Sequence, residues 1–342
     1  MAEISIFIPV YKESEFLEKL LKRLINQGTN KEIFVVVDEP TKKTAEIIKK
    51  FKHCVKFVVS SGRMGKANAL NHVASLSKSE LFLFLDADVE IPYDKNFLQK
   101  ILDRARYADF IDIRKEVVKK NFLTRLVYVE FSAFGLGVWM MSRTIKKFPV
   151  INGSAFAIKR KVFEKIGGFT SVVSEDLDIA TKVFVEGYTS EYANDIKVMS
   201  YVPDTWREWF MQRKRWSVGA MVWIKRWYKD LIKSVVRHPQ ISFPAIFFTF
   251  PSIFFIFANL FIPAMFFPGL LNLYRTIIVL FVTFIMFSIV FYVFVRRIGF
   301  KFKINDFFFF YFFYSILTLA FMVYAFIKVF VVKDTSLSDW RI

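Results

Sequence analysis

The residues best suited to chemistry in this sequence are acids that follow a strongly apolar segment. Leu81–Leu85 reads LFLFL and runs directly into Asp86 and Asp88. Crowded carboxylates repel one another and resist removal from water, so we expect a positively charged group beside them. Two further acids, Glu175 and Asp176, are adjacent in the segment SEDLD.

The segments that lead to these residues alternate between strand-like and helix-like patterns. The predicted strands are ISIFIPV, EIFVVVDEP, VKFVVSSG and LFLFLDADV, and helical spacing follows each of the first three. Uninterrupted apolar strands joined by helices predict an α/β fold with a mostly parallel sheet covered on both faces. Ligands of such sheets bind beyond the carboxyl ends of the strands. The charged residues expected at those ends are Asp38, Arg63, Lys66, Asp86 and Asp88.

The composition indicates a protein that works at a membrane surface. The chain has 342 residues, 54% of them apolar and 19% aromatic, with a formal net charge of +18. This combination suits an anionic membrane and a phosphate-bearing substrate. Nucleic acid is the other common partner of a basic chain, but long apolar segments rarely accompany it, so we expect none. Cys54 is the single cysteine, which excludes an internal disulfide and favours a cytosolic catalytic part.

The C-terminal third predicts a multi-pass membrane protein of the plasma membrane or an endomembrane. Three apolar segments there can each cross a hydrocarbon core of about 30 Å: residues 243–267, 277–295 and 307–332. The basic group Arg296–Lys303 is expected to stay in the cytoplasm. We therefore predict a cytosolic domain at residues 1–205 and a transmembrane region at 241–332 with about three helices. Pro251 and Pro263 leave a fourth helix open.

Two other segments are predicted to lie in the membrane interface. Residues 122–141 are long enough to cross, but a crossing here places Asp86 and Asp176 on opposite sides of the bilayer. Residues 206–240 contain QRKRW, and on an ideal helix most of their tryptophans share one sector beside the basic residues. We therefore predict an amphipathic interfacial helix, with a tryptophan stripe that packs into a protein core as the alternative.

Short segments, taken in order, carry a resemblance to a known family. They are IFIPVYKE, VVVDEPT, GRMGKANALN, FLDADV, INGSAFAIKR, SEDLDIATKVFVEGY and QRKRW, and they extend over the first 216 residues. The set resembles the inverting glycosyltransferases of family 2, which have the Rossmann-like GT-A fold. The most similar branch has three separated acids and a Gln-x-x-Arg-Trp motif, and it includes cellulose and hyaluronan synthases and ceramide glucosyltransferase. Each segment alone is a weak signal, whereas their order followed by apolar segments is specific.

The resemblance implies how a nucleotide-diphosphate sugar is held. Asp86 and Asp88 are expected to share a divalent cation, Mg²⁺ or Mn²⁺, that stabilises the departing diphosphate. Asp38 matches the acid that holds uracil and ribose, although the family's usual Asp-Gly-Ser continues here as Glu39-Pro40-Thr41, which leaves the base open. The turn around Gly153 is expected to let the backbone approach the donor closely. The other implied donor-binding residues are Pro9, Tyr11, Glu13, Arg63, Lys66 and Arg215.

The resemblance also implies the acceptor side. Asp176, beside Glu175, is expected to take the proton from an acceptor hydroxyl, and the neighbouring carboxylate should raise its pKa. Capping of the following helix is the structural alternative for these acids, and both roles can hold together. Gln212 and Trp216 are expected to line the acceptor site. The expected acceptor is a lipid or a lipid-linked glycan.

Several alternatives remain open from the sequence. A processive polysaccharide synthase would use the same motifs, and a polyprenyl-phosphate glycosyltransferase would need no base. A catalytically inactive membrane scaffold is disfavoured by the intact acids. A membrane-bound nucleotidyltransferase would have a similar sheet but would lack the SEDLD and QRKRW segments.

Overall fold

The computed structural model describes residues 2–249 and 273–335, and these form two compact units. The first unit comprises residues 2–118 and 142–201, and the second comprises residues 119–141 and the described residues from 202 onward. The domain bounds predicted at residues 205 and 240 stay a prediction. Most of the predicted span at residues 243–267 lies outside the described residues.

Within residues 2–249 and 273–335, the strands all belong to the first unit. In chain order they are β1 (Ile4–Tyr11), β2 (Lys31–Asp38), β3 (Lys56–Ser60), β4 (Leu81–Leu85), β5 (Val89–Glu90), β6 (Phe110–Val117), β7 (Ala155–Lys159) and β8 (Ser190–Ser200). They form one sheet of order β3-β2-β1-β4-β7-β6-β8-β5.

The helices are found in both units. In chain order they are α1 (Leu17–Ile25), α2 (Lys42–Phe51), α3 (Lys66–Ser75), α4 (Phe97–Ala105), α5 (Phe122–Ile145), α6 (Arg160–Lys165), α7 (Glu175–Val185), α8 (Trp206–Arg237), α9 (Pro239–Thr249), α10 (Leu273–Arg297) and α11 (Ile304–Val331). Helix α11 contains two π-helical stretches, Phe310–Tyr314 and Ile327–Val331.

The predicted parallel sheet is confirmed for β1 to β4, and the other half of the sheet is mixed. Strands β2 and β4 both run parallel to β1, and β3 runs parallel to β2. Strand β7 is antiparallel to both β4 and β6, whereas β6 and β8 are parallel. The strand order brings the carboxyl end of β4 beside the start of β7, with Leu85 opposite Ala155. The loops that carry the candidate site residues therefore meet at this edge.

Both faces of the central strands are covered, as their apolar sequences predict. Ile6, Val35 and Leu83 are fully buried on one face. On the other face phenylalanine rings contact one another in a continuous cluster: Phe7, Phe34, Phe82, Phe84, Phe156, Phe163 and Phe169. Because polar groups are expelled from this dry interior, the strand ends are the first places where carboxylates can be accommodated.

The second unit contains a buried polar network as well as apolar packing. Val218 and Met221 of α8 pack against Ala325 and Val329 of α11. Arg213 of α8 pairs with Glu130 of α5 at 2.6 Å, and the Tyr314 hydroxyl donates to the same carboxylate at 2.6 Å. Trp209 is fully buried and its indole N–H donates to the Tyr314 oxygen at 2.9 Å. For Trp209, therefore, the core-packing alternative is the correct one.

Among the described residues, two helices are long and apolar enough to cross a membrane. They are α5, in which 72% of the most apolar window is buried within the protein, and α11, in which 22% is buried. Helix α11 coincides with the third predicted span, and α10 coincides with the second. A core helix of a soluble protein can pass the same test as α5, so these helices indicate membrane association without establishing the predicted multi-pass topology.

Candidate active site

The acids at the end of β4 lie beside a lysine, as their crowding predicts. The Lys66 ammonium is 2.8 Å from Asp86 Oδ1 and 3.0 Å from Glu175 Oε1. Burial alone lowers the pKa of Lys66, but the charges of Asp86 and Glu175 outweigh it and hold this pKa well above its ordinary value. Lys66 is therefore a permanent cation that joins two carboxylates from different elements.

The carboxyl group of Asp88 is electrostatically coupled to that of Asp86. Surrounding protein atoms and the negative charge of Asp86 raise the pKa of Asp88 to about 6, although the residue as a whole is exposed and the charge of Lys66 opposes the shift. The charge of Lys66 lowers the pKa of Asp88, but it does not cancel the combined effects of burial and of the Asp86 charge. This site can therefore accept additional positive charge.

Asp176 lies in the first turn of α7 and is held by two backbone N–H groups. Its Oδ1 accepts from Leu177 N at 2.9 Å, and its Oδ2 accepts from Gly153 N at 3.0 Å. Burial and the charge of Glu175 raise the pKa of Asp176 to about 6, against the charge of Lys66 and the two N–H groups. The carboxyl group is thus oriented by the backbone and is a stronger base than an exposed aspartate.

Ser174 occupies the N-cap position of α7, but its side chain makes no capping hydrogen bond. Glu175 and Asp176 are both inside the first turn of this helix, where the helix dipole favours negative charge. The acids can therefore stabilise the helix and also face a ligand, which are the two roles expected for them.

Five of the predicted site residues converge on one small cavity of the first unit. The full lining is Pro9, Lys66, Leu70, Phe84, Leu85, Asp86, Gly153, Phe156, Phe169, Glu175 and Asp176. The cavity is apolar toward the sheet and charged toward the loops. This arrangement is typical of ligand sites, in which a few polar groups orient a ligand against an apolar wall.

Asp38 at the end of β2 holds the loop that leads into Lys66. Its Oδ2 accepts from Met64 N at 3.0 Å and from Gly65 N at 3.1 Å. The residue is 6% exposed, and its buried Oδ1 has no hydrogen-bond partner among the described residues. One oxygen of Asp38 thus supports the loop, and the other can accept from a further hydrogen-bond donor.

The residue after Asp38 adopts a backbone conformation that glycine prefers. Glu39 has a φ of 53°, in the left-handed region, which accounts physically for the glycine that the family usually has here. The Tyr11 hydroxyl donates to Glu39 Oε2 at 3.2 Å and fixes its side chain. The Arg63 guanidinium lies 4.8 Å from the centre of the Tyr11 ring. Tyr11, Asp38 and Arg63 therefore belong to one neighbourhood.

Glu13 has protein partners of its own. Its Oε2 accepts from the Thr41 hydroxyl at 2.8 Å, and its Oε1 is 3.7 Å from the Lys43 ammonium. These contacts join the loop after β1 to the start of α2. The predicted role of Glu13 in donor binding stays a prediction.

The residues of the QRKRW segment lie on α8, in the second unit. Arg215 and Trp216 are exposed, and the Gln212 side-chain oxygen is buried without a hydrogen-bond partner among the described residues. Arg213, which was not among the predicted site residues, is buried and paired with Glu130. The predicted contacts of Gln212, Arg215 and Trp216 with substrates stay predictions.

A buried ion pair in the first unit was also missed. Lys115 contacts Asp112 on β6, and the two are 4% and 1% exposed. The pairing of β6 with β8 shifts register between Ile113 and Arg114, and this irregularity lets Asp112 and Lys115 meet. An acid within the apolar run FIDI was the only signal for it in the sequence.

The residues present suit a divalent cation only if a ligand completes its coordination. No group of three or more His, Cys, Asp or Glu side chains is arranged to hold a metal ion in residues 2–249 and 273–335. Asp86 and Asp88 offer hard carboxylate oxygens, and Mg²⁺ is commonly bound by one or two carboxylates together with substrate phosphates. Burial is the main cause of the raised pKa of Asp88, and the Asp86 charge that adds to it also favours a cation. The donor set therefore fits Mg²⁺ or Mn²⁺.

Comparison with known proteins shows which family the first half of this chain is similar to. Residues 5–167 match the family described as glycosyl transferase family 2. The chain is 26% identical over 268 residues to the probable glycosyltransferase YdaM of Bacillus subtilis, which covers 72% of this chain and 62% of that protein. It is 26% identical over 238 residues to the poly-beta-1,6-N-acetyl-D-glucosamine synthase of Staphylococcus epidermidis, which covers 68% of this chain and 58% of that protein. Residues 5–167 are thus similar to glycosyl transferase family 2, and the similar proteins are named as glycosyltransferases and synthases.

Solved structures support the fold. The mannosyltransferase PcManGT of Pyrobaculum calidifontis, solved in complex with GDP-Man and Mn²⁺, aligns with a TM-score of 0.58 and 17% identity over 97% of this chain and 88% of that one. TarS residues 1–349 of S. aureus align with a TM-score of 0.50 and 14% identity over 76% of this chain and 75% of that one. The shared fold is the GT-A fold that the sequence predicts.

Proposed function

We propose that this protein is an inverting, metal-dependent glycosyltransferase that transfers a sugar from a nucleotide-diphosphate sugar to a hydroxyl acceptor at the cytoplasmic face of a membrane. The observation that carries the proposal is the cavity where Lys66 and Asp86, which belong to the segment that matches glycosyl transferase family 2, converge with Glu175 and Asp176. The chain spans about 60% of the length of the curated relatives above (62% and 58%), so the activity of the whole protein is part of the proposal.

The donor end of the reaction requires positive charge. Lys66 would bind the diphosphate and balance the charge that develops as it departs. Asp86 and Asp88 would hold Mg²⁺ or Mn²⁺, and the metal ion, when bound, supplies further neutralisation of the leaving group. Asp38, Tyr11 and the neighbouring loops would take the nucleoside.

The acceptor end requires a base. The acceptor hydroxyl oxygen attacks the anomeric carbon from the face opposite the diphosphate, and its proton passes to the Asp176 carboxylate. A new carbon–oxygen bond forms while the bond to the phosphate oxygen breaks, and its electron pair leaves with the nucleoside diphosphate. A pKa of about 6 leaves Asp176 roughly nine-tenths ionised at pH 7 and makes it a better proton acceptor than an exposed aspartate.

A uridine diphosphate sugar is the donor that we propose. The sequence resemblance favours it. The Glu39-Pro40-Thr41 departure falls on the residues that follow the proposed base-binding acid, so a guanosine donor must be included in any assay. Asp38 Oδ1, buried without a partner among the described residues, is the group that we propose reads the base.

A lipid or a lipid-linked glycan is the acceptor that we propose. In the second unit, α11 leaves most of its apolar window uncovered. On α8, Trp206, Phe210 and Trp216 are 44%, 45% and 38% exposed, and Arg215 is also exposed. Exposed aromatic and basic side chains together suit the headgroup region of a membrane. These surfaces support the predicted interfacial helix and a membrane-bound acceptor.

A processive polysaccharide synthase is the second candidate. It is favoured by the similarity to poly-beta-1,6-N-acetyl-D-glucosamine synthases. The chemistry at Asp176 would be the same, and the two candidates differ in whether the product stays bound. A polyprenyl-phosphate acceptor is less favoured, because a phosphate oxygen is already ionised and needs no base.

One experiment separates these candidates. The full-length protein in native lipid is incubated with Mn²⁺ and a panel of radiolabelled UDP-sugars and GDP-mannose. We expect label from a UDP-sugar in the organic phase as a single-sugar lipid, and no label with Asp176→Asn. Label in a long water-soluble polymer would favour the synthase. Absence of transfer from every donor would refute the proposal.

A further inference from the structure

One short turn contacts both acids of the proposed reaction. The Asp86 N–H donates to the Ser154 carbonyl oxygen at 2.9 Å, and the Gly153 N–H donates to Asp176 Oδ2 at 3.0 Å. The Asn152 side-chain oxygen accepts from Ser154 N at 3.3 Å and closes the turn. The segment Asn152–Ser154, which directly precedes β7, therefore joins the end of β4 to the start of α7.

Gly153 is required here for its lack of a side chain. A Cβ at this position would lie 2.4 Å from Asp176 Cβ and 2.7 Å from Asp176 Oδ2, below the 3.0 Å that real Cβ contacts respect. The φ of Gly153 is not in the left-handed region, so its backbone conformation is open to other residues. Glycine is needed for space, and the space is occupied by the proposed base. The turn closely approaches Asp176. The expected approach of this turn to a donor stays a prediction.

We propose that Gly153 is a positioning residue that orients the Asp176 carboxylate and sets its separation from Asp86. This inference rests on the proposed function, in which Asp176 is the base. The Gly153 N–H fixes one carboxylate oxygen, and the Ser154 carbonyl ties the same turn to the donor-side acid. A methyl group at residue 153 pushes the carboxylate away, since the three nearest atoms all belong to Asp176. The donor site keeps its own contacts.

The first test is kinetic. Gly153→Ala should lower the transfer rate roughly 10- to 100-fold, the usual effect of a misplaced catalytic group. Mn²⁺-dependent binding of UDP should stay as in the unsubstituted protein. Gly28→Ala is the matched control, because a Cβ at Gly28 meets nothing within 4 Å and the residue lies between α1 and β2. The control should leave both rate and binding unchanged.

The pH profile supplies a readout that a merely structural effect would not move. The hydrogen bond from Gly153 lowers the pKa of Asp176, so its loss should raise that pKa and shift the acid limb of transfer to higher pH. The charged groups that act on Asp176 are Glu175 on its own helix, Lys66 on α3 and Lys115 on β6. Neither Gly153→Ala nor Gly28→Ala changes these.

The second test does not depend on activity. In an Asp176→Gly background all three nearest atoms are removed, so Gly153→Ala should no longer be crowded. We expect Gly153→Ala to lower the melting temperature of the full-length protein by roughly 2–10 °C, and to lower it much less in the Asp176→Gly background. An equal decrease in both backgrounds would overturn the inference.

The outcomes separate this inference from the proposed function. Full transfer by Asp176→Asn would refute the proposed function itself. Loss of transfer in Asp176→Asn, together with an unchanged rate and acid limb in Gly153→Ala, would refute only the role of Gly153. Loss of UDP binding in Gly153→Ala would also refute it, because the turn would then support the donor site rather than the base.

Discussion

The Lys66→Met substitution tests the charge balance of the site most directly. Lys66 bridges Asp86 and Glu175 at 2.8 Å and 3.0 Å, and these two side chains are only 29% and 15% exposed. Methionine keeps the unbranched chain and removes the charge. Two carboxylates that face each other then lose the cation between them.

The expected loss of stability follows from the exposure of each group. A partly buried charged group left without its partner costs about 1–3 kcal/mol. Lys66 is itself 36% exposed, so solvent screens the pair, and we expect the free energy of unfolding to fall by about 1–2 kcal/mol. Because the folded-state pKa of Lys66 is raised, its contribution is fully present at neutral pH and is lost only as the pH rises through that raised value.

The assay is thermal unfolding of the full-length protein in detergent at pH 7 without nucleotide, with Glu175→Gln as the second substitution of a double-mutant cycle. Neutral glutamine needs no cation, so Lys66→Met should cost less in the Glu175→Gln background, with a coupling of about 0.5–1.5 kcal/mol. The matched control is Lys100→Met. Lys100 pairs with Asp94 at 2.6 Å, but the two side chains are 49% and 33% exposed, so we expect a change within about 0.5 kcal/mol.

Two results would contradict this reasoning. One is a loss for Lys66→Met no greater than that for Lys100→Met. The other is the same loss with and without the Glu175 carboxylate. Either result would mean that solvent, rather than Lys66, already neutralises these acids.

Other substitutions and conditions test separate parts of the site. Asp88→Asn should weaken the Mn²⁺-dependent binding of UDP, measured by calorimetry. Asp176→Asn should abolish transfer and leave that binding in place. Strong UDP binding by Asp88→Asn would contradict the metal assignment. EDTA should abolish transfer, and added Mn²⁺ or Mg²⁺ should restore it; activity that persists in EDTA would contradict metal dependence. Since the base must be ionised and the pKa of Asp176 is raised to about 6, transfer should fall as the pH drops through about 6, and a constant rate down to about pH 4 would argue against this base. In the second unit, Glu130→Gln should leave the Arg213 charge buried without its carboxylate and lower the free energy of unfolding by about 2–4 kcal/mol. Adding Arg213→Met to Glu130→Gln should recover most of this loss. Equal stability of the unsubstituted protein, the single variant and the double variant would refute the network.

The first half of the sheet could be predicted because its strands are uninterrupted apolar runs. Such runs need cover on both faces, and this requirement alone places Asp38 and Asp86 at one edge. The second half could not be predicted in the same way. Strand β6 carries Asp112 and Lys115 inside an apolar pattern, and its register shift depends on pairing with β8, a partner far along the chain.

The residue types of the candidate site could be predicted from the sequence, but the contacts between these residues could not. The resemblance selected Asp176, yet the closeness of Gly153 depends on how a turn and a helix 23 residues apart meet in space. On α8 the motif directed attention to Arg215, whereas the packing of α8 buries Arg213 against Glu130. Both arginines belong to the same short basic run, and only the rotation of the helix against its neighbours decides which one is buried.

The position of Lys66 at the first residue of α3 suits the diphosphate that we propose as its ligand. Gly65, at the N-cap with a φ of 79°, provides no side chain to satisfy the first N–H groups of the helix. A cation at a helix N-terminus is disfavoured by the helix dipole by about 0.3–1 kcal/mol, so an anion is needed there. Asp86 and Glu175 supply negative charge to Lys66 in the structure. A diphosphate can satisfy Lys66 and the helix N-terminus together, whereas the two carboxylates bond only the lysine in the described contacts.

Nucleotide binding should therefore draw Lys66 toward the phosphates and leave Asp86 available to a metal ion, so UDP should strengthen Mn²⁺ binding in calorimetry. The same Mn²⁺ affinity with and without UDP would refute this coupling.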